Sequence, residues 1–241
     1  MRQDAIRNMV IGVTGGLATG KSTVSAMFGD LGANVLSADS IAREVLAPNS
    51  PMVGQVAEAF GFQLIRADGT LDREQLARII FSDSDARYRL NKMMHPPILE
   101  RLRRQIEESL ADNPDRHVVV EVPLLFELGM GNWFDKIVVV TCSERAEIAR
   151  LFWRDGLNEL EARMRIATQL PLAEKVRRAD FVVHNEGARS AVASHVGRIW
   201  MKLNELRLGG NADSSECLLN ESKSSTEIPI IKARRGYRRK K

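Results

Sequence analysis

Eight residues, Gly15-Gly16-Leu17-Ala18-Thr19-Gly20-Lys21-Ser22, limit what this chain can fold into more than any other stretch. They fit G-x-x-x-x-G-K-[ST], in which glycines let the backbone curl so that successive N–H groups face a phosphate. A helix opening at the end of the loop adds its positive N-terminus at the same point. In that pattern Lys21 bridges the β- and γ-phosphates as a point charge, and the Ser22 hydroxyl ligates magnesium. The flanks agree. MVIGVT, at 9–14, is an apolar run that reads as a buried parallel strand. Val24, Met27, Phe28 and Leu31 then fall on one helical face, with Gly32 placed to cap it. ANVLS, at 33–37, supplies a second strand, and the whole reads as a right-handed βαβ unit.

Downstream the pattern changes and then returns. Residues 40–112 carry helical stripes, Leu76, Ile79 and Ile80, then Ile98, Leu99, Leu102, Ile106 and Leu110, without a convincing strand. HVVVEV at 117–122 and KIVVVT at 136–141 are β-branched runs that read as central strands. A helix bearing Ile148, Leu151 and Phe152 follows. A polar helix comes next, opened by Asn158 with Glu161 at capping-box spacing and ended by Pro171. A short strand at 181–183 precedes a last helix faced by Val192, Val196, Ile199, Trp200, Leu203 and Leu206. The expected fold class is α/β, a parallel sheet flanked by helices. Its nucleotide core comprises 9–39 and 117–206, with a helical insertion over 40–112 and a short helical lid over about 150–177. Residues 1–8 are an N-terminal extension, and 209–241, rich in Ser, Asn and Glu, reads as a mostly disordered tail.

Composition narrows the function classes. The 241 residues carry a net charge of +4, too little for a general attraction to nucleic acid. Residues 207–241 hold nine Lys/Arg against four Asp/Glu, which leaves the first 206 residues at −1. The basic end, ARRGYRRKK, has one tyrosine and no folded platform, so a solvated end is favoured over an RNA, membrane or protein contact. Two cysteines, Cys142 and Cys217, make neither a disulfide framework nor a four-ligand zinc site, which suits a cytoplasmic protein. The first nine residues lack an apolar core, and no run approaches the length of a membrane span, so the expectation is a protein neither exported nor embedded. A monomer is expected.

Switch GTPases, motor ATPases and small-molecule kinases share such a loop, so other positions must separate them. Asn91-Lys92 is followed by Met93-Met94, which fails the guanine-reading N-K-x-D, and no D-x-x-G follows Glu121-Val122-Pro123. A small-molecule kinase needs a carboxylate beside the acceptor hydroxyl and arginines that cover the phosphates. Asp39, just past the second strand, can take or orient a hydroxyl proton; as an alternative, it or Ser40 caps a helix starting near Ile41. Glu121 ends a strand at the same sheet edge and can hold a magnesium-bound water or pair with a base. Arg150 and Arg154 share a helix face ahead of Asp155-Gly156, a candidate hinge, and Arg163 and Arg165 follow, so this segment can fold over ATP. An ordinary solvated helix pair explains the same composition.

With these residues in view, the sequence resembles the dephospho-coenzyme A kinases. The resemblance rests on IGVTGGLATGKSTVS at 11–25, ADSIAREV at 38–45, DGTLDREQLARIIF at 68–81 and HPPI at 95–98. It continues through EVPLLFE at 121–127, RDG at 154–156, RIATQLPLAEK at 165–175 and ADFVVHNEG at 179–187. It implies a P-loop NTPase fold and transfer of the γ-phosphoryl of ATP to the ribose 3′-hydroxyl of dephospho-CoA, the last step of coenzyme A synthesis. It also implies Asp39 as base, Lys21 and Ser22 as phosphate and magnesium ligands, and Arg154 as lid arginine. The donor set is then Gly15 through Thr23 with Asn185 and Gly187 near the adenine, and the acceptor set is Asp39, Arg43, His95 and Glu121. The insertion receives the acceptor. Three positions depart from the family's usual residues: Ser37 for Asp, His184 for Asp and Pro97 for Leu. His95 either orients the acceptor or anchors a proline-marked helix start. Two other readings compete: a kinase of another small hydroxyl acceptor such as a nucleoside, and a nucleotide switch or RNA-associated binder using the basic tail.

Overall fold

Among the described residues the strands are five: β1 (Val10–Gly15), β2 (Asn34–Ser37), β3 (Val118–Glu121), β4 (Lys136–Thr141) and β5 (Phe181–His184). In the computed structural model, which describes residues 8–208, they form one sheet of order β2-β3-β1-β4-β5. Every pairing is parallel. Most of the N-terminal extension and the whole basic tail lie outside the described residues.

A parallel sheet must be covered on both faces, and alternation along β3 shows how. Val119 points into a core shared with Val24 and Phe28 of α1 (Lys21–Asp30) and Val196 and Leu203 of α9 (Arg189–Arg207). Val118 and Val120 point the other way, onto Leu102 and Ile106. These belong to α5 (Ser84–Asp112), the longest helix among the described residues.

Between β2 and β3 the chain is helical, through α2 (Ala38–Val45), α3 (Pro51–Phe60), α4 (Arg73–Ser82) and α5. One isolated bridge, Ile65 to Leu71, interrupts it. Val53, Val56, Leu64, Leu71, Leu76, Leu90 and Met94 give this segment a core of its own. Two local expectations are corrected here. Pro96 and Pro97 lie inside α5, so His95-Pro96 does not start a helix. Neither proline can donate to the carbonyl four residues back, and packing of Leu102 and Ile106 on the sheet keeps the helix continuous regardless. The helix after β2 begins at Ala38, and its cap is Ser37, whose Oγ accepts from the Ser40 amide at 3.4 Å.

After β4 come α6 (Glu144–Asp155), α7 (Glu159–Ile166) and α8 (Leu172–Arg177). Asn158 and Glu161 form the capping box that opens α7. Pro171 does not end α7, which stops at Ile166; it is the N-cap of α8. The carboxyl ends of all five strands face one way, and an open cleft of about 1410 Å³ lies over that edge.

Candidate active site

The loop between β1 and α1 is held from behind by side chains distant in sequence. Arg150 of α6 donates from Nη1 to the Ala18 carbonyl (3.1 Å) and from Nη2 to the Asn185 carbonyl (2.7 Å). Asn185 Nδ2 donates to the Thr19 carbonyl at 2.8 Å. Thr19 Oγ1 donates to the Gly16 carbonyl at 3.0 Å, as does Lys21 Nζ at 2.8 Å. Ala18 is held at φ 56°, a left-handed conformation that costs a non-glycine residue energy and persists because its carbonyl is pinned. Gly20, at φ 86°, is the N-cap of α1, and a side chain there would run into Asn185. It leaves the amides of the first turn without a side-chain cap or an acidic neighbour. Such a helix start attracts an anion.

Lys21 is buried, which pulls its ammonium below the ordinary lysine value against the opposing pull of the Glu121 carboxylate. Asp39 and Glu147 also draw on that charge. Glu121 pairs in register with Ser37 on one side and Val13 on the other, so it stands at the sheet edge beside the loop. Burial raises its carboxyl above the ordinary value.

Leu17, Ala18, Gly20, Lys21, Ser22 and Thr23 line the cleft, and so do Asp39, Arg43, His95, Glu121, Arg154, Asn185 and Gly187. Gly15, Gly16 and Thr19 lie behind the lining and are buried. Asp39 is in the first turn of α2 and is not its cap, which removes the bland explanation for that carboxylate. Arg87, Asn91 and His95 recur every four residues on α5 and face the cleft together. Partial burial lowers the His95 pKa.

Relatives with known names share this arrangement's sequence. The CoaE dephospho-CoA kinase family model matches residues 9–190. The chain belongs to the dephospho-CoA kinase family. A dephospho-CoA kinase of Geobacillus kaustophilus is 42% identical over 181 residues, covering 75% of this chain and 90% of that one. One from Syntrophotalea carbinolica is 42% identical over 195 residues, covering 81% and 92%. Among solved structures, the dephospho-CoA kinase of Campylobacter jejuni aligns with a TM-score of 0.62 at 27% identity, over 83% of this chain and 98% of that one. Among the described residues, no helix is long and apolar enough to cross a membrane.

Arg150 and Arg154 of α6 and Arg163 and Arg165 of α7 do not form one mobile set. Arg150 is fixed to the phosphate loop, as above, because its guanidinium finds two carbonyls on the loop side of α6. Arg154 pairs with its neighbour Asp155 (2.8 and 2.9 Å), and Arg163 with Glu144 and Glu159. Arg165 lies over the Phe81 ring of α4, 4.4 Å from its centre, and so joins α7 to the helical segment between β2 and β3. Two further residues escaped the reading of the sequence. Glu147, 3% exposed, packs against Gly16, where any side chain would strike it. Burial pushes its carboxyl up to about 7. Lys175 is fully buried against Glu127. Its signal was spacing: it lies three residues after Leu172 and one before Val176, both of which pack on the core.

Proposed function

We infer that this chain transfers the γ-phosphoryl group of ATP to the ribose 3′-hydroxyl of dephospho-CoA, releasing ADP and coenzyme A. The observation that carries this reading is a single cleft in which Lys21, the amides opening α1, and Asp39 face the helical segment between β2 and β3. The family shared with the named relatives supports the acceptor.

The β- and γ-phosphates would lie in the loop from Gly15 to Thr23, against its amides and the Lys21 ammonium. The adenine would border Asn185 and Gly187. Ser22 offers an exposed hydroxyl, with Asp39 and Glu121 lining the same cleft, and this hard oxygen set suits magnesium. Ser22 would bind it directly and the carboxylates through water; when bound, the ion neutralises charge on the phosphates. The helical segment, through Arg43, Arg87 and His95, would receive dephospho-CoA.

Asp39 would accept the proton of the 3′-hydroxyl as its oxygen bonds to the γ-phosphorus and the bond to the β-phosphate oxygen breaks. Arg154 would leave Asp155 to cover the charge that spreads over the moving phosphoryl. No covalent enzyme intermediate is needed. The segment over about 150–177 would act as the lid that excludes water.

The test is ADP release from magnesium-ATP with dephospho-CoA, set against adenosine, AMP and shikimate, with Lys21→Ala as control. Release only with dephospho-CoA, lost in the variant, is the expected outcome. Faster release with adenosine would make this a nucleoside kinase. ATP binding without turnover of any acceptor would return the chain to the switch class.

A further inference from the structure

Lys175 of α8 is the most deeply buried charged side chain among the described residues, at 0% exposure. A lysine in such a place must be paired on all sides, and its partners come from three parts of the cleft. Its Nζ donates to the Gly15 carbonyl at 3.3 Å, where β1 runs into the phosphate loop. It donates to the Pro123 carbonyl at 3.2 Å, in the loop after β3, and that carbonyl also accepts from Thr14 Oγ1 at 3.2 Å. It donates to Gln169 Oε1 at 3.5 Å, in the linker between α7 and α8. Its counter-charge is Glu127 Oε1 at 2.8 Å, which also accepts the Leu170 amide at 3.0 Å. Pro123, Leu124, Thr168 and Gln169 all line the cleft.

One ammonium thus ties together the entry to the phosphate loop, the wall beyond β3 and the exit from the lid. Stability alone does not call for it, because apolar side chains of similar volume often replace a buried ion pair without loss. What an apolar side chain cannot supply is a fixed set of directions to two carbonyls, an amide and a carboxylate. Phosphoryl transfer depends on such fixing, since its catalysis is mostly alignment of donor and acceptor.

We propose that Lys175 is a positioning residue for phosphoryl transfer, its ammonium holding the phosphate loop, the wall after β3 and the lid exit in the register that aligns γ-phosphate with acceptor hydroxyl. The proposal rests on the kinase reading above. Lys175 does not line the cleft, so its removal acts through Gly15, Pro123 and Gln169.

The test uses the full chain with Lys175→Met, which keeps the length of the side chain, and the double variant Lys175→Met, Glu127→Gln. The second change removes the carboxylate that the first leaves unpaired and keeps an acceptor for the Leu170 amide. For wild type and both variants, kcat, the KM for dephospho-CoA, ATP affinity by calorimetry and Tm are measured. Both variants should lose about 10- to 100-fold in kcat, the scale set by small misplacements of reacting groups. ATP affinity should stay within about threefold, because the amides and Lys21 remain in the donor pocket. The double variant should regain Tm over the single one without regaining kcat. Wild-type kcat in either folded variant well below its Tm, or kcat that rises together with Tm in the double variant, overturns the proposal. Should Lys175→Met fail to fold, the double variant decides on the same terms. Absence of wild-type turnover with dephospho-CoA overturns the kinase reading and the proposal with it, whereas normal wild-type and variant turnover overturns the role of Lys175 alone.

Discussion

On the phosphate side of the cleft, Lys21 is 8% exposed and the loop that carries it is tied by Arg150, Asn185 and Thr19. On the lid side, the Arg154 side chain is 59% exposed and its partner is the adjacent Asp155. The two halves solve different problems. The donor half is fixed by contacts within the chain itself, and fixed groups are the condition for electrostatic stabilisation that needs no reorganisation during reaction. Arg154 itself is tied to Asp155 by a partly exposed ion pair worth at most about 1 kcal/mol, so under the proposed mechanism a γ-phosphate would draw Arg154 from Asp155. The helical segment between β2 and β3 stands between these extremes, with a core of its own but with Asp39 and Arg43 exposed at its edge.

Substitutions that cut into one half and spare the other test this contrast. The largest effect is expected from Lys21→Ala, which removes the fixed positive charge on the donor side. Turnover should fall by about 10³-fold or more, with weaker ATP binding, read by steady-state kinetics and calorimetry. Asp39→Asn comes next, with kcat down by about 10²- to 10⁴-fold and ATP affinity nearly unchanged. Unaltered kcat there would sink the base assignment. Arg150 and Arg154, four residues apart on one helix, separate the halves most sharply. Arg150→Met should raise the ATP dissociation constant by about tenfold, as the loop loses one charge-assisted anchor. Arg154→Met should lower kcat and leave ATP binding almost intact. Equal effects of the two on ATP binding would erase the distinction between fixed and mobile arginines.

The smallest effect concerns stability and pH. Because burial pushes the Glu147 carboxyl up to about 7, the folded chain keeps a proton that the unfolded chain has released, between the ordinary value of 4.5 and about 7. Stability therefore falls as pH rises through that window. Glu147→Gln removes this dependence, and its Tm should exceed that of wild type at pH 8 by more than at pH 5. A wild-type gain in Tm from pH 5 to 8 that the variant lacks would contradict the assignment.

Contiguity decided what could be read in advance. The phosphate loop is one unbroken motif, and β1, β3 and β4 are short β-branched runs, so both were legible in the sequence. The helical segment after β2 was legible from its stripes, although Pro96-Pro97 suggested a helix start where tertiary packing carries α5 straight through. Asp39 was ambiguous in sequence because a cap and a base occupy the same place; the structure gives the cap to Ser37. The buttress was not legible. Lys175 lies 160 residues from the carbonyl it binds at Gly15, and Glu147 meets Gly16 only after the sheet has formed. Arg150 looked like a partner for phosphate, and its partners are instead backbone carbonyls, which leave no trace in a sequence.

The account's central claim is transfer of phosphate to one hydroxyl of one acceptor, and locating that phosphate tests it most directly. The chain would be incubated with magnesium, ATP and dephospho-CoA, and the product examined by phosphorus and proton NMR. A new phosphomonoester coupled to the ribose C3′ proton, absent with Lys21→Ala, is the predicted result. Phosphate at another position, or ATP hydrolysis indifferent to dephospho-CoA, would contradict it.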